Sequence, residues 1–163
     1  MTRLKHRLTV LIKYVILLAF GLYGGTALKG YQTVVDGDTL KIGRQTVRMN
    51  GIDAPELKQN CLCKGKTVRC GLAARKELHR FIGSETVFCE TSGRDLYGRL
   101  LAECFIWKNH EKINLNELMI KHGLAMAKYS NRFLLPESEA ISNRRGFWDC
   151  EGFEDPSFFR KTD

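Results

Sequence analysis

Val34-Val35-Asp36-Gly37-Asp38-Thr39-Leu40, followed by Val47-Arg48-Met49-Asn50-Gly51-Ile52-Asp53-Ala54-Pro55-Glu56, decides how this chain folds. Leu40 and Ile42 alternate with polar residues, as do Val47 and Met49, and Gly43-Arg44 lies between the two runs as a turn. Folded back on each other about that turn, the runs bring Asp38 roughly opposite Met49 and Asn50. Asp53 and Glu56 then fall just past the end of the second strand, close to Asp38. Two hard-oxygen ligands, a third carboxylate and the Arg48 guanidinium at one end of a sheet suit a divalent cation and a phosphate together. The combination points to phosphodiester chemistry.

Outward from this hairpin, Tyr31–Asp36, Thr39–Ile42 and Thr46–Asn50 read as three strands, and Gly51–Arg69 as a long loop carrying Lys58, Lys64 and Lys66. Leu72–Ile82 sets Ala74, Leu78, Phe81 and Ile82 on one helical stripe. Thr86–Thr91 and Arg99–Ile106 then pair as a hairpin about Asp95-Leu96-Tyr97-Gly98. Asn114 caps a further helix, Glu117 completes a capping box, and Gly123 ends it. Pro136 opens a last helix whose end is marked by Arg144, Arg145 and Gly146. Five short strands with one helix between the third and fourth describe an α+β, mainly β fold. It is a five-stranded Greek-key barrel of the oligonucleotide-binding type, the OB-fold, with three helices.

A length of 163 residues holds one domain plus an extra segment, and 44% hydrophobic residues suffice to bury its core. No repeat or low-complexity tract breaks the chain. The net charge of +8 is uneven. Residues 1–27 hold Arg3, Lys5, Arg7 and Lys13 and no acid, which leaves 22 basic against 18 acidic side chains beyond them. That modest excess suits a polyanionic partner but is weak evidence alone.

Residues 1–27 read as a hydrophobic targeting helix: a basic start, then 15 consecutive uncharged residues between Lys13 and Lys29. Gly25-Thr26-Ala27 offers the small residues a signal peptidase reads, so cleavage after Ala27 and retention as a membrane anchor both stay open. Either way the basic flank stays inside and residues 28–163 are exported, to the periplasm, the medium or the outer face of a membrane. Six cysteines, all beyond residue 60, agree with an oxidising compartment. Cys89 and Cys104 lie symmetrically about the turn at 95–98 and face each other within disulfide reach. Cys61 and Cys70 could close a short loop, leaving Cys63 with Cys150, although six cysteines allow 15 pairings. A zinc site on Cys61, Cys63 and Cys70 is the rival reading, against which stand an unusual spacing and the lack of a nearby histidine.

From about Tyr31 to Trp148 the chain resembles the thermonuclease, or staphylococcal nuclease-like, family. The resemblance is carried by Val35-Asp36-Gly37-Asp38-Thr39, by Val47-Arg48 with Gly51-Ile52-Asp53-Ala54-Pro55-Glu56, and by Asp95-Leu96-Tyr97-Gly98-Arg99. A weaker match is Gly123-Leu124-Ala125 followed by Tyr129. The resemblance implies that Asp38 and Asp53 ligate calcium, helped by the backbone carbonyl of Ala54, where the family often has threonine. It implies that Glu56 orients or deprotonates the attacking water, that Arg48 and Arg99 grip the phosphate, and that Tyr97 and Tyr129 flank the nucleotide. Asp36, Thr39 and Asp95 are expected to support these groups from behind. Leu96 stands where the family pattern often has a lysine, a departure that bears on nucleotide-end affinity and not on the chemistry. Oxygen-only ligands favour calcium, with magnesium or manganese as alternatives, over zinc or copper.

The resulting expectation is a monomeric, exported, calcium-dependent endonuclease acting on DNA and on RNA with little sequence preference. In the family, water attacks phosphorus with loss of the 5′ oxygen and leaves 3′-phosphate ends. Two rival readings stand beside it. One is a non-catalytic module that binds nucleic acid or protein, and the other a membrane-tethered barrel acting in envelope organisation or uptake.

Overall fold

The computed structural model describes residues 27–162. The segment read as a targeting helix lies outside the described residues except for Ala27, which opens the first strand. Strands β1 (Ala27–Gly30) and β2 (Gln32–Val34) are two halves of one bent ribbon, parted at the fully exposed Tyr31. Next come β3 (Thr39–Ile42) and β4 (Gln45–Met49), joined through Gly43, whose φ of 58° suits a tight hairpin turn. Their register pairs Thr39 with Arg48 and Leu40 with Val47, and the Met49 N–H donates to the Asp38 carbonyl at 2.8 Å. Asp38 therefore sits where the alternation of apolar residues placed it.

Helix α1 (Cys70–Ile82) follows and buries Ala74, Leu78 and Ile82. The hairpin β8 (Val87–Arg94) and β9 (Leu100–Lys108) then closes the sheet, with β4 parallel to β9 and β1 antiparallel to β8. The path runs β1-β8-β9-β4-β3-β2, so the bent first ribbon pairs at one end with β8 and at the other with β3. That is how a five-ribbon Greek-key barrel closes on itself and leaves little free edge. Its interior is filled by Leu40, Val47, Met49, Val87, Ala102 and Ile106, with the Cys89–Cys104 disulfide among them.

Helix α2 (Leu115–Lys121) caps the barrel through Leu115, Met119 and Ile120. Asn114 accepts from the Glu117 N–H at 3.1 Å, but only this half of the expected capping box forms, because the Glu117 carboxylate turns to Lys121 at 2.6 Å. The buried Asn116 pins α2 to the sheet: its amide donates to the carbonyls of Asn50 and Ala102 and accepts from the Cys104 N–H.

Several expectations need correcting. The loop from 51 to 69 contains β5 (Ile52–Asp53) and a hairpin of β6 (Cys61–Cys63) with β7 (Lys66–Val68). Disulfides Cys61–Cys70 and Cys63–Cys150 staple that hairpin, so the zinc reading of these thiols falls. Short strands β10 (Glu111–Asn114) and β11 (Met126–Ala127) add to β9 and β5. Helix α3 (Leu134–Ser142) starts two residues before Pro136. The proline is tolerated in the first turn, where an N–H has no intrahelical partner.

A further correction is a helix beyond the three expected, α4 (Pro156–Thr162). Asp155 caps it, its Oδ1 accepting from the Ser157 N–H at 2.8 Å and from the Ser157 hydroxyl at 2.7 Å, while Oδ2 pairs with Lys128. Burial works against this carboxylate, but the hydrogen bonds from Lys128 and Ser157 outweigh it and hold its pKa down at about 2. A depressed pKa contributes stability that is present above the unfolded value near 3.8 and is lost as pH falls through about 2. Hydrogen exchange is accordingly expected to show α4 losing protection between about pH 4 and pH 2. Asp155→Asn should flatten that acid dependence, and an unchanged profile would mean that the cap does not hold α4.

Candidate active site

One end of the barrel opens into a cleft of about 830 Å³, lined among others by Asp38, Arg48, Glu56, Arg99, Tyr129 and Arg160. The loop entering β3 shapes its floor. The Asp36 carboxylate accepts from the Asp38 N–H at 3.0 Å, and a Cβ on Gly37 would lie 2.6 Å from that of Ala54. Only glycine lets this loop pack so closely on Ala54. Asp38 accepts from the Thr39 hydroxyl at 3.1 Å and from the Ala54 N–H at 2.7 Å. Asp36, Thr39 and the Ala54 backbone thus all bear on Asp38.

Val47 and Met49 point into the core, so Arg48 between them faces the cleft. It forms ion pairs with Asp38 and, at 2.7 Å, with Asp53 Oδ1. Asp53, on β5, is fully buried, and both its oxygens are engaged by arginines. Glu56 projects at the rim, with its backbone N–H donating to the buried Gln59 side chain at 3.1 Å. Gln59 also donates to the Glu154 carbonyl at 2.9 Å, which ties the Glu56 loop to the segment leading into α4. Gly71 of α1 lies so close to the Glu56 carbonyl that a Cβ there would overlap it.

The β8–β9 tip also lines the cleft, with Arg99, Tyr97 and Leu96. Asp95 Oδ2 accepts from Arg99 Nε at 2.7 Å, and Oδ1 accepts from the backbone N–H groups of Arg99 and Tyr97. Burial would raise the Asp95 pKa, but those hydrogen bonds prevail and hold it below the usual carboxylate range. Tyr97 is 85% exposed and Leu96 fully so, which puts an aromatic face beside Arg99 and an aliphatic side chain at position 96. Tyr129 lines the cleft too, with a φ of 61°, an uncommon conformation for a bulky residue. It follows Lys128, whose N–H donates to the Gly51 carbonyl at 2.9 Å.

Two features escaped sequence reading. The buried amide Gln59 looked like any loop glutamine. Arg160, from α4, donates to Asp53 at 2.9 and 3.1 Å and to Glu56 at 2.7 Å. Asp155-Pro156-Ser157 is a legible helix start, yet nothing local says that this helix returns to residues more than a hundred positions earlier.

The donor set fits a hard cation. Burial pushes the Asp38 pKa up to about 7, and Asp36 and Asp53 add to the rise, even though Arg48 pulls the other way. Asp36, Asp38, Asp53 and Glu56 gather here against the guanidiniums of Arg48 and Arg160, and all the acceptors are oxygens. Among the described residues no three His, Cys, Asp or Glu side chains converge as a complete cage. The protein would supply Asp38, Asp53 and a backbone carbonyl, with water and substrate oxygens completing the set, a habit of calcium and magnesium alike.

A family model described as staphylococcal nuclease homologue matches residues 46–150. The chain is 34% identical to the succinoglycan biosynthesis protein ExoI of Rhizobium meliloti (strain 1021) over 127 residues, covering 75% of this chain and 65% of that protein. Endonuclease YncB of Bacillus subtilis (strain 168) is 30% identical over 131 residues, covering 73% and 60%. The probable staphylococcal-like nuclease CAN3 of Oryza sativa subsp. japonica is 29% identical over 137 residues, covering 81% and 33%. The matched region spans less than two thirds of each of these relatives. A family match running from β4 through Cys150, well over half of the chain, makes the kinship plain: this chain belongs to the staphylococcal nuclease homologue family.

Proposed function

We propose that the protein is an exported, monomeric, calcium-dependent endonuclease that hydrolyses DNA, and RNA as well, with little sequence preference. The observation that carries this reading is the gathering of Asp38, Arg48, Glu56 and Arg99 around one cleft above the buried Asp53. A calcium ion held by Asp38, Asp53 and the Ala54 carbonyl would supply Lewis-acid stabilisation of phosphoryl charge. Arg48 and Arg99 would meet the charge that builds on the phosphoryl oxygens as water attacks. Arginine suits this because its planar fork matches two phosphate oxygens and stays charged. Glu56 at the rim would orient the water and take its proton as the P–O5′ bond breaks, and the departing 5′ oxygen would take a proton from solvent, leaving a 3′-phosphate and a 5′-hydroxyl. Tyr97 and Tyr129, both exposed at the cleft, would flank the nucleotide. The disulfides, none with a free partner left over among the described cysteines, support export.

The test is nicking of plasmid DNA by the oxidised protein, with calcium and with a chelator, alongside Glu56→Gln. Calcium-dependent cleavage lost in the variant supports the reading. Binding without cleavage under calcium, magnesium or manganese would replace it with a binding module. In the same assay Arg99→Ala is expected to lower turnover at least about a hundredfold while the fold stays intact. Its backbone N–H keeps the bond to Asp95, so the turn should survive, and near-normal turnover would remove Arg99 from phosphate binding.

A further inference from the structure

Asp53 is the most enclosed carboxylate of the cleft, and both its oxygens already face a cation. Oδ1 accepts from Arg48 Nη2 at 2.7 Å and from Arg160 Nη1 at 3.1 Å, and Oδ2 accepts from Arg160 Nη2 at 2.9 Å. The same Arg160 Nη1 donates to Glu56 Oε1 at 2.7 Å. One guanidinium therefore bridges the carboxylate assigned to the cation and the carboxylate assigned to the water. These contacts hold Arg160 firmly in its charged form.

The two arginines differ in their freedom to leave. The Arg48 side chain is 11% exposed on a strand in the middle of the sheet, whereas that of Arg160 is 37% exposed in the last turn of α4. The fixed end of α4 is the other one. Pro156 is buried, Asp155 caps the helix and binds Lys128, and Glu154 is tied to Gln59. Arg160 can thus swing off Asp53 by side-chain rotation or by fraying of one turn, without undocking the segment that carries it.

We propose that Arg160 is a tethered counter-ion that positions Asp53 and Glu56 and competes with the divalent cation for Asp53. The inference rests on the reading of Asp53 as a cation ligand. A divalent ion at Asp53 needs an oxygen that is not already accepting from a guanidinium, so cation binding and the Arg160 contact oppose each other. Linkage makes the opposition mutual: whatever factor Arg160 takes from cation affinity, the cation takes from the docking of the last turn of α4.

Calorimetric titration of calcium into the oxidised protein and into Arg160→Gln and Arg160→Lys measures this without any catalytic readout. Arg160→Gln is expected to bind calcium about tenfold tighter or more, the scale of a lost charge-assisted pair, with Arg160→Lys between the two. Hydrogen exchange of the wild type should show amides 158–162 less protected in calcium than in chelator. Calcium binding by Arg160→Gln that is equal to or weaker than wild type, with circular dichroism unchanged, would overturn the proposal. If neither protein binds calcium, the cation reading of Asp53 falls along with it, while plasmid nicking with Glu56→Gln still decides separately whether the protein is a nuclease.

Discussion

Arg48→Met is expected to lower plasmid-cleaving turnover by at least about a hundredfold and, in chelator, to cost about 3 kcal/mol of stability. The two effects have different origins. The first is the loss of a donor proposed to meet the phosphate; the neighbouring Arg160 is already engaged by Asp53 and Glu56. The second follows from burial. Asp38 and Asp53 are 6% and 0% exposed, and Arg48 forms ion pairs with both. Removing it takes the guanidinium from the buried Asp38, while Asp53 keeps Arg160, and a buried charge left unpaired costs far more than the pair itself contributes.

The pH dependence separates this account from a loss of packing. Burial already raises the Asp38 pKa to about 7 in the folded protein, above the ordinary 3.8. A carboxyl with a raised folded pKa keeps a proton that the unfolded chain has released, so stability falls as pH rises from about 4 through about 7. Without Arg48 the carboxyl rises further and the fall continues to higher pH. The stability gap between wild type and variant should therefore be small near pH 4 and should widen toward pH 8, measured by urea midpoints in chelator. A gap that is constant with pH would assign the loss to packing. Turnover within tenfold of wild type would remove Arg48 from the phosphate.

The barrel was legible because its strands obey period two and its turns are marked by glycine. Leu40, Ile42, Val47 and Met49 all point inward as the alternation requires, and the register about Gly43 carries Asp38 and Arg48 to the same end of the sheet. Hairpin symmetry placed Cys89 against Cys104 because their stretch of the ladder is regular. The bulge between Thr91 and Gly93 shifts the register only toward the tip. What stayed hidden has physical reasons too. The bend at Tyr31 that closes the barrel leaves no mark in hydrophobic periodicity. Strand β7 is exposed along its whole length, so it shows no alternation, and its place is set by two disulfides instead of a buried face. The Arg160 contact depends on how the chain returns after Cys150, a question of tertiary packing that local patterns do not encode.

That return is the basis of the second large effect. Replacing both Cys63 and Cys150 with alanine is expected to cost about 4–5 kcal/mol, because the bridge closes a loop far longer than the others and constrains the unfolded chain most. Its sequence separation is 87, against 15 for Cys89–Cys104 and 9 for Cys61–Cys70. The same loop-entropy argument gives about 3 kcal/mol for a closure of 15 residues, so the three bridges should rank in order of span. In thermal unfolding the Cys63–Cys150 double variant should fall by roughly 10–20 °C for a domain of this size. The bridge also acts locally. It stands beside the Glu151 N–H bond to the Leu62 carbonyl at 2.7 Å and the Gln59 bond to Glu154, three ties that hold the Glu56 loop against the chain entering α4. Phe153 adds ring contacts with Phe147 and Trp148 at 5.3 and 5.1 Å. Cutting the covalent tie should thus loosen α4 in hydrogen exchange as well as lower the melting temperature, whereas opening Cys89–Cys104 in the barrel core should leave α4 protection as it was. A loss no larger than that of the Cys61–Cys70 double variant would mean that the native state relaxes around the missing bridge, and that loop entropy is not what it supplies.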